Sequence, residues 1–374
     1  MKANNKPYYV FTRSSERSPS SYYRILQFCP EISRPAKLCF VVPEKVYKNY
    51  NNARYGLKRR FWQAMFYLCA YVRLFAYLLS ARIHKPDTIF VSRAMAPKIL
   101  LFPLAPLMKS VFKRTEHLIW DIDDHIFNSG EITAKERELL LEYTEKIIVI
   151  GDFLASLIPE EFHEKLVYLP TTDGDYRNMD LDDYAQARKA RFEKEICLLW
   201  LATYTSLPFL EDIVPALDMA AKTIAEKQKK PLILEVVCNR PLVAKTEYLR
   251  IENITWTKAV ARERMRLAHI GVMPLRKEEG TKGKGGFKMI QYMSAGLPTI
   301  CSAVGYNFYV MQDGETGRMC YDEENKSCWM DAVLNTCDSW QTIAQMGSAA
   351  RSRWDRMFSY DANLSKLREL LQGE

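Results

Sequence analysis

The stretch Gly271-Val-Met-Pro-Leu275, then Glu278-Glu-Gly-Thr-Lys-Gly-Lys-Gly-Gly-Phe-Lys288 and Met289-Ile-Gln-Tyr-Met-Ser-Ala-Gly-Leu-Pro298, holds the residues best suited to chemistry. It reads as a strand entering a glycine-rich loop that opens a helix. Glycines admit a ligand close to the backbone, and a helix start offers unpaired N–H groups and a positive dipole end, which suits phosphate. Lys284 and Lys288 are spaced i, i+4, so a helix beginning near Lys284 would carry both ammonium groups on one face. No Gly-Lys-Ser/Thr closes the loop and no G-x-G-x-x-G opens the first βα turn, which argues against an ATPase or a dehydrogenase. A mobile basic surface loop is the competing reading.

Asp121, Asp123 and Asp124 follow an apolar run. An Asp-x-Asp pair in that place supplies oxygen ligands for a divalent metal, lines a cleft between domains, or only shapes a turn. His125 shares those alternatives, packing included. Arg24, beside Tyr22 and Tyr23 in the first βα loop, and Arg93, just past a strand-like run, fall at the carboxyl ends of strands, where each would meet a ligand phosphate or serve a helix start. The five histidines have no metal-ligand spacing, and the nine cysteines form no C-x-x-C pair, so they read as reduced, inert thiols.

Elements that would position these groups alternate along the chain. Strand-like runs occur at Tyr8–Phe11, Leu38–Val42, Thr88–Val91, Leu118–Trp120, Ile147–Ile150 and Leu166–Leu169. A second series runs through Ile196–Leu201, Leu232–Val237, Ile254–Trp256, Ile270–Met273, Thr299–Cys301 and Arg318–Tyr321. Helix-length segments separate them, which predicts an α/β chain of two tandem Rossmann-like domains. The expected boundaries are 1–172, a linker at 173–194, a second domain at 195–352, and a last helix from about 353 to 374 crossing back to the first domain.

Charge is uneven. Residues 1–120 carry 21 Lys and Arg against 5 Asp and Glu, and the remainder carries 32 against 40. So basic a half suits a polyanion, an anionic membrane surface included. Lys58–Arg82 is nearly all apolar between Phe61 and Leu79; a membrane span there would separate strands of one sheet, leaving a core helix or one lying in the bilayer interface. The first residues hold no apolar run of signal-peptide length, so a cytoplasmic location is expected.

Gly283-Lys-Gly-Gly-Phe-Lys-Met-Ile-Gln-Tyr-Met-Ser-Ala-Gly-Leu-Pro-Thr-Ile-Cys-Ser-Ala-Val-Gly305, followed by Asp313-Gly-Glu-Thr-Gly317, resembles the donor-site region of GT-B glycosyltransferases of the retaining family 4 type. Pro19-Ser-Ser-Tyr-Tyr-Arg24, Trp120-Asp-Ile-Asp-Asp124, Leu169-Pro-Thr-Thr-Asp173 and Met357-Phe-Ser-Tyr-Asp361 resemble further segments of a bacterial polysaccharide-building subgroup. The resemblance implies hexosyl transfer from a nucleotide diphosphate sugar to a saccharide acceptor, expected to be lipid-linked at the inner membrane surface, with no cofactor, metal or nucleic acid. It assigns Lys284 and Lys288 to the departing diphosphate. Thr203, Tyr204, Thr205, Gly283, Gly285, Gly286 and Phe287 would hold the donor, with Trp256 to Val260 facing the base. Tyr22, Arg24, Arg93, Asp123 and Asp124 would fall on the acceptor or cleft side. Two glutamates usual in that family are replaced by Gly283 and Gln291. Gln291 keeps an acceptor for ribose hydroxyls, and the sugar contact falls to Glu278, Glu279 or loop backbone.

Overall fold

The structure, a computed structural model, describes residues 6–14, 18–53, 55–96, 98, 100–127, 130–321 and 327–372. The chain divides into two compact units, residues 1–171 with 361–374, and residues 172–360.

Six strands build the first unit: β1 Tyr8–Thr12, β2 Ala36–Phe40, β3 Thr88–Ser92, β4 His117–Ile122, β5 Lys146–Val149 and β6 Leu166–Tyr168. They form one sheet in the order β2-β1-β3-β4-β5-β6, all pairs parallel. Parallel strands covered by helices on both faces must be apolar throughout, and β1 (YYVFT) and β3 (TIFVS) are buried at every position. The helix Gly56–His84 packs inward through Phe66, Ala70, Leu74, Leu78 and Ala81, spaced three or four residues apart, which is one stripe of a helix.

The second unit contains β7 Ile196–Leu201, β8 Leu232–Cys238, β9 Arg250–Thr255, β10 Ile270–Met273, β11 Thr299–Ser302 and β12 Gly317–Cys320. Its parallel sheet runs β12-β11-β10-β7-β8-β9. Each sheet thus has a point where consecutive connections depart in opposite directions, between β1 and β3 in the first and between β7 and β10 in the second. Ligands of open α/β sheets bind in the crevice outside the carboxyl ends of the strands at such points.

Two expectations about connection change. Within 173–194, expected as a linker with a surface helix, the helix Leu181–Phe192 belongs to the second unit and buries Tyr184, Arg188 and Phe192, with Asp180 capping it by accepting from the N–H groups of Asp182 and Asp183. The single last helix expected from about 353 is two, Trp340–Met357 and Tyr360–Gln372, and assignment to the first unit begins at Asp361. There Arg34 donates to the Leu371 carbonyl at 2.9 Å and Arg368 to that of Glu31 at 2.8 Å. All nine cysteines are free thiols, six of them buried.

Candidate functional site

At the switch point of the second sheet, the chain leaving β7 carries Thr203, Tyr204 and Thr205. The two threonine hydroxyls lie 2.9 Å apart, and the Arg240 guanidinium, just beyond β8, sits 3.7 Å from the centre of the Tyr204 ring. Beyond β10 a short helix, Glu279–Lys282, ends at Gly283, and a second helix, Phe287–Ser294, opens at Gly286. Gly286 adopts φ +61, a left-handed conformation that glycine takes without strain, and a β-carbon there would also crowd Val310 at 3.0 Å.

That second helix begins three residues later than expected. Lys284 therefore lies in the turn before it, its N–H donating to the Thr281 carbonyl, and only Lys288 stands on the helix. The two lysines are not i, i+4 neighbours on one face. Their charges nevertheless act on each other: burial, then the Lys284 charge, lowers the half-buried Lys288 ammonium to about 8. Neither lysine's ammonium group has a hydrogen bond or ion pair with any described residue. A partly buried cation without a carboxylate, in the first turn of a helix whose leading N–H groups lie outside its own ladder, is poised for an anion.

The helix is anchored from its other end. Arg188 donates to the carbonyls of Ala295 at 2.8 Å and Gly296 at 3.0 Å, and Arg351 donates to that of Ser294 at 2.7 Å. Two guanidinium groups on the last carbonyls complement the negative dipole end. Burial lowers Arg188 to about 9, which leaves it charged at neutral pH. Midway, the Tyr292 hydroxyl accepts from the Leu201 N–H at 2.9 Å, joining the helix to the end of β7. Its ring fills the space a side chain on Gly271 would need, where a β-carbon would lie 2.2 Å from the ring.

Gln291 is buried on the same helix, and its amide nitrogen donates to the Asp173 carboxylate at 2.7 Å. Asp173 also accepts from the Asp175 N–H at 3.0 Å, yet burial pushes it up to about 6. The donor end of the amide is thus occupied and its carbonyl oxygen is the end left over. Trp256 follows β9 with 49% of its surface exposed, whereas Val260 packs partly into the core and donates its N–H to the hydroxyl of Thr257, which caps its helix. Glu278 and Glu279 are both exposed. A cavity of about 340 Å³ lies to one side, lined by Asp212, Arg276, Lys277, Glu278 and Trp329 among others; neither Lys288 nor Gln291 borders it.

In the first unit the expected cleft residues are largely spent on one another. Arg24, expected to meet an acceptor phosphate, is 2% exposed: its Nε donates to the Asp121 carboxylate at 3.1 Å and its Nη1 to the Leu169 carbonyl at 2.8 Å. Burial pushes Asp121 up, against the pull of Arg24. Arg93, at φ +63, contacts Asp123 and Asp124, each at 3.0 Å, and Asp124 also caps its own turn at the His125 N–H. The acidic motif therefore faces two arginines and does not converge on one point, as metal ligands would. His125 packs edge-on against Phe127 and Phe153, and Tyr22 edge-on against Tyr23. Glu136 anchors the loop after β3 by accepting from the N–H of Met95 at 2.6 Å and of Ala96 at 3.2 Å; burial raises it to about 7. A cavity of about 50 Å³ remains at this switch point, bordered by Arg13, Ser18, Ser20, Ser21, Arg93 and Glu131.

Sequence reasoning passed over Arg240, Arg188, Arg351 and the role of Asp173. Only Asp173 had a signal, its place in the Leu169–Asp173 motif.

The family described as Glycosyl transferases group 1 matches residues 209–339, which include the glycine-rich loop and the Lys288 helix. No curated protein matches the chain by sequence. Among solved structures, HepE from Anabaena, in complex with UDP and glucose, is similar over 98% of this chain and 100% of its own at 10% identity, with a TM-score of 0.66. A glycosyltransferase from Rickettsia africae is similar over 99% and 98% at 11% identity and a TM-score of 0.65. A mutant form of TarM from S. aureus aligns with 80% of this chain and 59% of its own at 13% identity and a TM-score of 0.53. The fold is GT-B, two Rossmann-like domains in tandem.

Proposed function

We propose that the protein is a glycosyltransferase that moves a hexosyl group from a nucleotide diphosphate sugar to a saccharide acceptor with retention of configuration. The observation that carries this reading is Lys288, a half-buried ammonium without a carboxylate at the opening of a helix beside the switch point of the second sheet. As the bond between the anomeric carbon and the diphosphate oxygen breaks, its electron pair remains on that oxygen. Lys284, Lys288 and the helix N–H groups stabilise this charge where it develops. The acceptor hydroxyl oxygen forms the new bond to the anomeric carbon, and its proton passes to the departing diphosphate oxygen.

Thr203, Tyr204, Thr205, Gly283, Gly285, Gly286 and Phe287 hold the diphosphate through hydroxyl and backbone groups, and Trp256 to Val260 face the base. Asp173 orients the Gln291 amide so that its carbonyl oxygen accepts from ribose hydroxyls. HepE, solved with UDP and glucose, has this fold, which supports the ligand chemistry. The serine-rich cavity beside Arg93 in the first unit suits acceptor hydroxyls. The acceptor is lipid-linked, made in cell-surface polysaccharide synthesis, and the basic first 120 residues hold the protein at the inner membrane surface.

A thermal-shift screen of nucleotide sugars tests the reading, because a donor at 100 times its Kd stabilises by about 2.7 kcal/mol. Release of nucleoside diphosphate upon acceptor addition then reports transfer. If no nucleotide sugar raises the melting temperature, the reading is lost. A second reading, a binding protein of this fold without turnover, draws on Gly283 and Gln291 in place of the two glutamates; complete absence of donor hydrolysis despite binding would favour it.

A further inference from the structure

The helix Gly56–His84 has a second face. Only 28% of its most apolar 18-residue window is buried. Opposite the stripe on the sheet, Phe61, Leu68, Val72, Phe75, Leu79 and Ile83 are all exposed, by 40 to 65%. Their spacing of three, four or seven residues aligns them along about 33 Å of helix. The charge at the middle of the segment, Arg73, is turned off this face: its Nε donates to the Phe40 carbonyl at 2.8 Å and its Nη2 to the Tyr77 hydroxyl at 2.6 Å. So long an apolar stripe on a soluble domain marks an interaction surface.

The helix does not cross a bilayer, because it joins β2 to β3, which flank β1 in a single sheet. Charge selects the occupant. Residues 45–115 contain 14 Lys and Arg against a single acidic residue, Asp87, and the helix itself contains no acid. Lys58 and Arg60 are exposed at its start and Lys85 at its end. A second copy docked by twofold symmetry would bring this cationic surface against itself. An anionic lipid surface offers acyl chains for the stripe and phosphate for the flanking cations.

We infer that the Gly56–His84 helix lies in the plane of an anionic bilayer, its Phe61 to Ile83 stripe among the acyl chains and its basic ends at the headgroups. This deepens the membrane part of the function proposed above. The test uses neither donor nor acceptor, so its failure leaves the nucleotide-sugar thermal shift untouched.

The full chain is sedimented with phosphatidylcholine vesicles containing or lacking phosphatidylglycerol, at low and high salt. Binding is expected with the anionic vesicles only and weakens as salt screens the charges. Each basic residue at such a surface contributes roughly fivefold in partitioning, so K58A/R60A is expected to bind about 25-fold more weakly. V72E/L79E, at two exposed positions, is expected to abolish binding while circular dichroism and the melting temperature stay unchanged. Equal, salt-insensitive binding to neutral vesicles would overturn the charge assignment. A concentration-dependent dimer lost in V72E/L79E, without vesicle binding, would overturn the lipid assignment in favour of a second copy, and a monomer that ignores vesicles would overturn the surface altogether.

Discussion

At the carboxyl ends of the first sheet Arg24 closes on Asp121 and Arg93 on Asp123 and Asp124, whereas at those of the second sheet Lys284 and Lys288 have no carboxylate. Both places read as charged residues after strands, the glycine-rich stretch being the better suited to chemistry. The pairing separates them. A guanidinium already bonded to a carboxylate and a carbonyl fixes loops, while an unpaired ammonium leaves a field that only a ligand can neutralise.

The contrast can be broken from either side. The largest effect is expected for Asp121→Ala, which removes the carboxylate that faces the buried Arg24 guanidinium and should destabilise the first unit by about 3–5 kcal/mol in urea unfolding. Lys288→Ala should show the reverse profile. Turnover falls about 10² to 10³-fold, or about 2.7–4 kcal/mol in the barrier, with a smaller loss of nucleotide affinity. Its melting temperature should hold or rise, since a desolvated charge is removed. Loss of stability with full activity would return Lys288 to the scaffold.

Acidity sharpens the comparison further. Lys288 titrates near 8 in the free protein against 10.5 ordinarily, so the unfolded chain binds more protons between those values. Stability is therefore expected to rise with pH across that window, with the lysine penalty present below it. If the charged form meets the donor as proposed, the donor KM should climb as pH passes 8, and this rise should be absent in Lys288→Ala. A KM flat from pH 6 to 9.5 in the wild type would show that the ammonium does not meet the donor.

Gln291→Ala removes the proposed ribose acceptor and the amide bonded to Asp173. The donor KM should rise several-fold while turnover stays within a few-fold, because the contact is the same in ground and transition states. A large fall in turnover would place Gln291 at the reacting sugar. The smallest effect is expected from EDTA: activity should survive it, since the proposed diphosphate site consists of lysines and helix N–H groups. Loss with chelator and recovery with manganese would instead make Asp123 and Asp124 ligands despite their contacts with Arg93.

The strand runs, the tandem arrangement and the position of the glycine-rich loop were legible in the residues because apolar periodicity and glycine placement are local signals. Ile196–Leu201 and Ile270–Met273 match the observed strands residue for residue. β9 begins four residues earlier than expected, since an edge strand can carry Arg250, Glu252 and Asn253 without burying them on both faces.

Which charges stand alone was decided only by the tertiary structure. Arg24 meets Asp121 across 97 residues, Gln291 meets Asp173 across 118, and Arg188 reaches Ala295 across 107. The sequence by itself determined that cations would gather after the strands and that a helix would open in a glycine-rich loop. Folding decided which of those cations were neutralised and where that helix began, because burial and the distance to a counter-charge belong to the packed chain and not to any window along it.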